Sequence, residues 1–326
     1  MFDGVRPNPT GDDVTAGTKA FAEGRHDGVV AVGGGSALDV GKLIAFMTGQ
    51  HRPVWDFEDV GDNWTRADPD RIAPTIAVPT TAGTGSEVGR AGVVTEPESH
   101  TKRIIFHPLM LPVAVVCDPE LTVGMPRPIT VGTGMDAFSH SLEAFCAPGY
   151  HPYADGIANE GMRLVADNIE RVAADPTDLE ARTHMMSAAA MGATAFQKGL
   201  GAMHALSHPL GAHFDTHHGM TNATLMPYVL AFNRRWIEDR VAGLAHRLGF
   251  GGGFDGMLDW LVELRSELGV PHTLGELGVG PDRLGLIAPA AVLDPSAGGN
   301  PRPLDLEGAT RILDAASTGR LDQLGD

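Results

Sequence analysis

The chain has 326 residues and a mass of 34.3 kDa, and its 24 Lys plus Arg against 41 Asp plus Glu give a formal charge of −17. With 43% hydrophobic residues it can bury a real core, and its length suits about two domains. The negative charge and the lack of any Lys/Arg run argue against a nucleic-acid partner, and two cysteines, Cys117 and Cys146, exclude a disulfide framework and fit a reducing, cytoplasmic setting.

The first ten residues lack the basic segment and apolar stretch of a signal peptide. No apolar run approaches the ~20 residues that span a bilayer, so no membrane role is expected. Val29–Val32 is a short apolar run ending in Gly33-Gly34-Gly35, which predicts a buried strand reaching a turn. Ser36–Thr48 has helical spacing, with Leu38, Leu43 and Met47 apolar. Residues 75–78 and 113–117 predict two further strands. Apolar strands interleaved with helices indicate a parallel sheet covered on both faces.

The texture changes near Met125-Pro126. Helices are expected over 129–147, 153–174, 178–199, 201–213, 219–232, 235–248, 253–268 and 304–316. The predicted organisation is therefore an α/β domain over 1–125 and an all-helical domain over 126–326.

Gly33-Gly-Gly-Ser36, between strand and helix, lets backbone amides approach a phosphate, with the helix dipole favouring negative charge. It matches neither common fingerprint. The dinucleotide pattern lacks its third Gly at position 38, and the Walker pattern has the wrong Gly spacing and Leu43 in place of Ser or Thr. A second small, hydroxyl-rich segment, Pro79-Thr-Thr-Ala-Gly-Thr-Gly-Ser-Glu87, also follows a strand. Ligands of open α/β sheets bind beyond the carboxyl ends of strands, where both loops would lie.

Asp136 and His140 are four apart, on one face of a helix. Residues 204–218 hold five histidines: His204, His208, His213, His217 and His218. Carboxylate and imidazole without thiolate suit Fe²⁺, Zn²⁺ or Mn²⁺. One Asp and three His would leave a position open, the layout of a Lewis-acid catalyst.

Three segments together carry a resemblance. Gly33-Gly-Gly-Ser-Ala-Leu-Asp-Val-Gly-Lys42, the Pro79–Glu87 loop, and the pair Gly134-Met-Asp-Ala-Phe-Ser-His140 and His204-Ala-Leu-Ser-His-Pro-Leu-Gly211 with His217-His-Gly219 resemble the motifs of the iron-containing (group III) alcohol dehydrogenases. The similarity runs from about Pro7 to Arg302. It implies an incomplete doubly wound, Rossmann-like nucleotide domain followed by a helical metal-binding domain, with NAD(P) and metal between them. Carried over by position, the metal ligands would be Asp136, His140, His204 and His218, holding Fe²⁺, with Zn²⁺ as the alternative. His208 would lie beside the nicotinamide as a catalytic proton relay. Gly34, Gly35, Ser36, Asp39, Thr80, Thr81, Ser86 and Lys102 would contact the cofactor.

The implied reaction is hydride transfer between a metal-held alkoxide and nicotinamide, with a small alcohol or aldehyde as substrate and a homo-oligomer compatible with it. Two other readings are a dehydroquinate-synthase-like lyase, which also pairs NAD with a metal, and a truncated non-catalytic paralogue. A hydrolase without nucleotide is disfavoured by the two small-residue loops. The resemblance also implies a further β–α–β unit, more than ~30 residues, before Met1. Its absence would leave an unpaired strand and an uncovered apolar face. A start codon placed too late is favoured over a true truncation, because all four ligand positions remain.

Overall fold

Helix α1 (Gly11–Gly24) starts where Thr10 donates its N–H to the Asp13 carboxylate at 2.7 Å, a local signal in Thr-x-x-Asp. The computed structural model describes residues 1–99 and 101–324. After α1 come strand β1 (Val29–Gly33) and helix α2 (Gly35–Met47). Strand β2 (Thr75–Pro79) pairs in parallel with β1, Val29 opposite Thr75 and Gly33 opposite Pro79. A hairpin of β3 (Ala91–Glu96) and β4 (Thr101–Phe106) follows, then a short β5 (Ala114–Val115) parallel to β2. The parallel sheet has the order β1-β2-β5.

Because β1 and β2 run in register, their carboxyl ends stop at the same level. The two small-residue loops therefore meet, and Thr80 N–H donates to Gly33 C=O at 2.9 Å. Helix α2 packs on one face, burying Leu38 against Ala31 and Ala77. The expectation of a sheet covered on both faces holds for that face alone. On the other, Val30 and Val32 of the outer strand β1 remain 63% and 57% exposed, with Ile76 and Val116 beside them. The hairpin closes a second small core in which Val94 and Ile105 pack with Val14, Leu43, Phe46 and Phe57.

The rest of the chain is helical: α3 (Arg127–Cys146), α4 (Pro152–Ala174), α5 (Leu179–Ala195), α6 (Ala202–Phe214), α7 (His218–Arg247), α8 (Gly253–Leu268), α9 (Leu284–Leu293) and α10 (Leu306–Thr318). Asp178 and Asp305 cap α5 and α10 by accepting backbone N–H groups at 3.0 and 2.8 Å. Every residue of α3 from Thr130 to Cys146 is buried, so this helix is central and carries no solvent face. The two segments expected at 219–232 and 235–248 are one helix, α7. Its polar run Asn233-Arg-Arg235 only looks like a break. Asn233 points inward and exchanges amide hydrogen bonds with Asn300 at 2.9 and 2.8 Å, while Arg234 and Arg235 face outward. No helix of the described residues is long and apolar enough to cross a membrane.

Candidate metal and cofactor site

Asp136 and His140 sit one turn apart on buried α3, His204 lies in the first turn of α6, and His218 opens α7. One donor atom from each lies within 4.8 Å of the others. Three of these side chains are 5% exposed or less, so the cluster is cut off from bulk water on the α3 and α6 sides.

Close helix crossing makes this convergence possible. A Cβ on Gly219 would stand 2.1 Å from the carbonyl oxygen of Gly132, so α7 can approach α3 only with glycine there. Gly219→Ala is expected to push α7 away, cost about 1–3 kcal/mol and separate His218 from Asp136. Thermal unfolding and metal titration check this; unchanged Tm and metal affinity would contradict it.

The residues around the donors set their chemistry. Glu143, one turn beyond His140 on α3, places Oε2 2.6 Å from His204 Nδ1, and its Oε1 accepts the Met203 N–H at 2.7 Å. That contact puts the His204 proton on Nδ1 and turns the Nε2 lone pair into the cluster. The Asn222 amide nitrogen lies 2.9 Å from Asp136 Oδ1 and 3.2 Å from Nε2 of both His204 and His218. An amide NH₂ has two hydrogens and cannot satisfy three acceptors. With a fourth donor on His140, the pocket holds more lone pairs than the protein has protons for. A buried surplus of lone pairs on hard and borderline donors fits a divalent cation.

The surroundings of two of the three histidines favour an open lone pair. Burial pushes His140 down to about 4, against the pull of the Asp136 carboxylate. Burial also holds His218 well below the ordinary histidine range. For His204, burial lowers the pKa but the Glu143 carboxylate outweighs it, and the net shift is upward. Asp136 is buried, which alone would raise it, yet the three surrounding imidazoles hold its carboxyl well below the usual range.

His208, one turn after His204, has its ring stacked on His218 at 5.6 Å between centroids but contributes no donor atom to the cluster. Its Nδ1 lies 2.8 Å from Asp294 Oδ2, and Asp294 in turn accepts the Ser296 N–H at 2.8 Å. A carboxylate on Nδ1 leaves the other ring nitrogen as the acceptor.

A cavity of about 600 Å³ runs from this cluster to the glycine turn. Gly35, Ser36, Asp39, Ser86 and Lys102 line it, together with the four clustered residues and His208. Gly34, Thr80 and Thr81 are not among the residues that line it; a Cβ on Gly34 would meet Thr81 at 3.1 Å. A Cβ on Gly35 would come within 2.6 Å of Thr84, so glycine keeps the cradle open. Gly34 caps α2 without any side-chain hydrogen bond, leaving the first-turn amides available to phosphate oxygens.

Asp39 and Ser86 bond to each other at 2.6 Å, and Asp39 also accepts the Val93 N–H at 3.0 Å. Lys42, paired to Asp39 at 3.2 Å, donates to the Ser86 and Ala91 carbonyls. These three side chains thus tie α2 to the second loop and to β3. Lys102, on β4, is half-buried. Burial lowers its pKa, against the carboxylates of Asp136, Asp39, Asp294 and Asp215.

Sequence reasoning missed Glu143, Asn222 and Asp294. Glu143 was within reach: Asp136, His140 and Glu143 share the i, i+4, i+7 face of one helix. His217, left without a role, caps α7 by accepting the Met220 N–H at 3.3 Å.

Residues 1–119 match the model of the iron-containing alcohol dehydrogenases, and residues 130–317 match the C-terminal model of the same family. A 4-hydroxybutyrate dehydrogenase of Cupriavidus necator is 39% identical over 324 residues, covering 96% of this chain and 84% of that protein. A crystal structure of 1,3-propanediol oxidoreductase superposes with a TM-score of 0.91 at 33% identity, over 97% of this chain and 83% of the other. Sulfoacetaldehyde reductase from Bifidobacterium kashiwanohense, solved in complex with NAD⁺, gives 0.88 at 30% identity, over 97% and 83%.

Proposed function

Because the chain belongs to the iron-containing alcohol dehydrogenase family of nicotinamide-linked oxidoreductases, we propose that Asp136, His140, His204 and His218 hold one ferrous ion beside its NAD(P) cleft. The substrates are small primary alcohols and the matching aldehydes. Residues 1–125 serve as the nucleotide-binding part and 126–326 as the metal-binding part. The observation that carries the assignment is the convergence of four donors within 4.8 Å in the wall of a cavity that also reaches the glycine turn.

Bound there, ferrous iron supplies Lewis acidity toward an alcohol or carbonyl oxygen. The protein's own groups do the rest. Asp136 provides the cluster's single negative charge, and Glu143 keeps His204 in the productive tautomer. Gly35, Ser36 and the first turn of α2 seat the cofactor's phosphates. Asp294 holds a proton on His208 Nδ1, so that the other ring nitrogen can take the alcohol proton and return it during carbonyl reduction. Lys102 adds positive charge between the cluster and the cofactor loops. The cavity's role is to align the reacting carbon with the nicotinamide ring, where geometry contributes most to the rate. The unpaired cysteines, Cys117 at the surface and Cys146 buried, support a reducing, cytoplasmic setting.

The test is NADH formation from 1-butanol or 1,3-propanediol. The ferrous protein is expected to reduce NAD⁺, lose that activity on stripping with dipicolinate, and regain it with added Fe²⁺. Full activity after verified metal removal would overturn the metal assignment. NAD⁺ retained without net reduction, whatever the alcohol, would favour a lyase.

A further inference from the structure

We propose that Arg90 forms an anion subsite in the same cavity and that the preferred alcohols are short ω-hydroxy acids, held by their carboxylate; this rests on the dehydrogenase reading above. Arg90 follows the second loop and lines the cavity with Phe106, Phe196 and Gln197. Its guanidinium lies over the Phe106 ring, 5.4 Å from the centroid, and donates to the Gln197 side-chain carbonyl at 2.9 Å. The two contacts fix the group's direction and use one of its five N–H donors.

The subsite is tied to the donor cluster by packing. Gln197 adjoins Phe196, whose ring packs edge-on against His140 at 5.0 Å between centroids. Arg90 is thus one residue beyond a side chain that touches the cluster. Gly89, Ala91 and Val93 line the same wall, and their short side chains leave the space open.

Charge distinguishes Arg90 from the cavity's other cations. Lys42 is paired with Asp39 at 3.2 Å, and the charge of half-buried Lys102 is countered by the carboxylates of Asp136, Asp39, Asp294 and Asp215. Arg90 has no carboxylate within ion-pairing distance among the described residues. Asp59 lines the same cavity; burial raises its carboxyl pKa, and Arg90 only partly offsets this. A guanidinium that stays charged at all working pH values and presents a planar fork is suited to a carboxylate. A substrate with its hydroxyl at the cluster and its carboxylate at Arg90 uses both ends of the pocket.

The experiment compares 4-hydroxybutyrate with 1-butanol in the ferrous holoenzyme, for wild type, Arg90→Leu and Arg90→Lys, and titrates NADH by fluorescence. Arg90→Leu is expected to lower kcat/KM for 4-hydroxybutyrate roughly 10- to 100-fold, mainly through KM. The value for 1-butanol should move much less, and Arg90→Lys should recover part of the loss. NADH affinity should stay within about threefold, below the effect of one charged hydrogen bond. Equal losses on both substrates, or a matching loss of NADH affinity, would overturn the subsite. No NADH from either alcohol in wild type would instead overturn the dehydrogenase reading beneath it.

Discussion

Replacing Asp136 with alanine is expected to leave the purified chain without stoichiometric metal and to lower alcohol-dependent NADH formation by at least ~10³-fold, the scale of several kcal/mol of lost charge stabilisation. Asp136 is the one anionic donor among four. It is 3% exposed, and its oxygen lies 3.6–4.0 Å from Nε2 of all three histidines. Three neutral imidazoles alone would face a doubly charged ion with no anionic donor in a buried site. Asn222 would also lose its 2.9 Å partner. Metal analysis and steady-state rates check the variant, and circular dichroism separates loss of the site from loss of the fold. One metal per folded chain at near-native turnover would remove Asp136 from the ligand set.

Glu143→Gln should weaken metal binding by about 10- to 100-fold, the usual effect of losing a carboxylate behind a ligating histidine. Glu143 accepts two hydrogen bonds, from Met203 N–H at 2.7 Å and from His204 Nδ1 at 2.6 Å. Glutamine can accept only one of them; its NH₂ would confront the other donor. The pH dependence should change as well. In the wild type, Glu143 raises His204 above its ordinary value despite burial, so as pH falls through that raised value His204 gains a proton that it would have to lose to take the ion. Affinity therefore falls on acidification. Without the carboxylate the imidazolium is less stable, the His204 pKa drops, and the break moves to lower pH while neutral-pH affinity declines. Cobalt(II) titrations between about pH 5 and 8 read both effects. An unchanged affinity with an unchanged break would show that Glu143 plays no part.

Much of this site was legible in the sequence because its chemistry is local. Asp136 and His140 announce themselves by helical spacing, and Gly33–Ser36 by its place between an apolar run and an amphipathic one. The partners that tune them are less visible because they arrive through tertiary packing. Asn222 reads as an ordinary polar helix residue until α7 crosses α3 at Gly219. Asp294 lies 86 residues from His208. The β3–β4 hairpin, which carries Lys102 and follows Arg90, gave no strand signal: its apolar residues are interrupted by Thr95 and by Arg103, whose side chain is held by ion pairs to Glu58 and Glu96. The open face of the parallel sheet shows the same limit from the other side. Val30 and Val32 look like core residues in any sequence, and only the sheet order places them at an exposed edge.

The claim that this cleft moves a hydride from an alcohol carbon to nicotinamide can be tested with a 1,1-dideuterated primary alcohol, NAD⁺ and the ferrous protein, followed by mass spectrometry of the NADH. One deuterium is expected in each NADH molecule formed, and no labelled NADH from the same protein after its metal is stripped. NADH that carries no label, or no NADH from any alcohol in the fully metal-loaded chain, would contradict it.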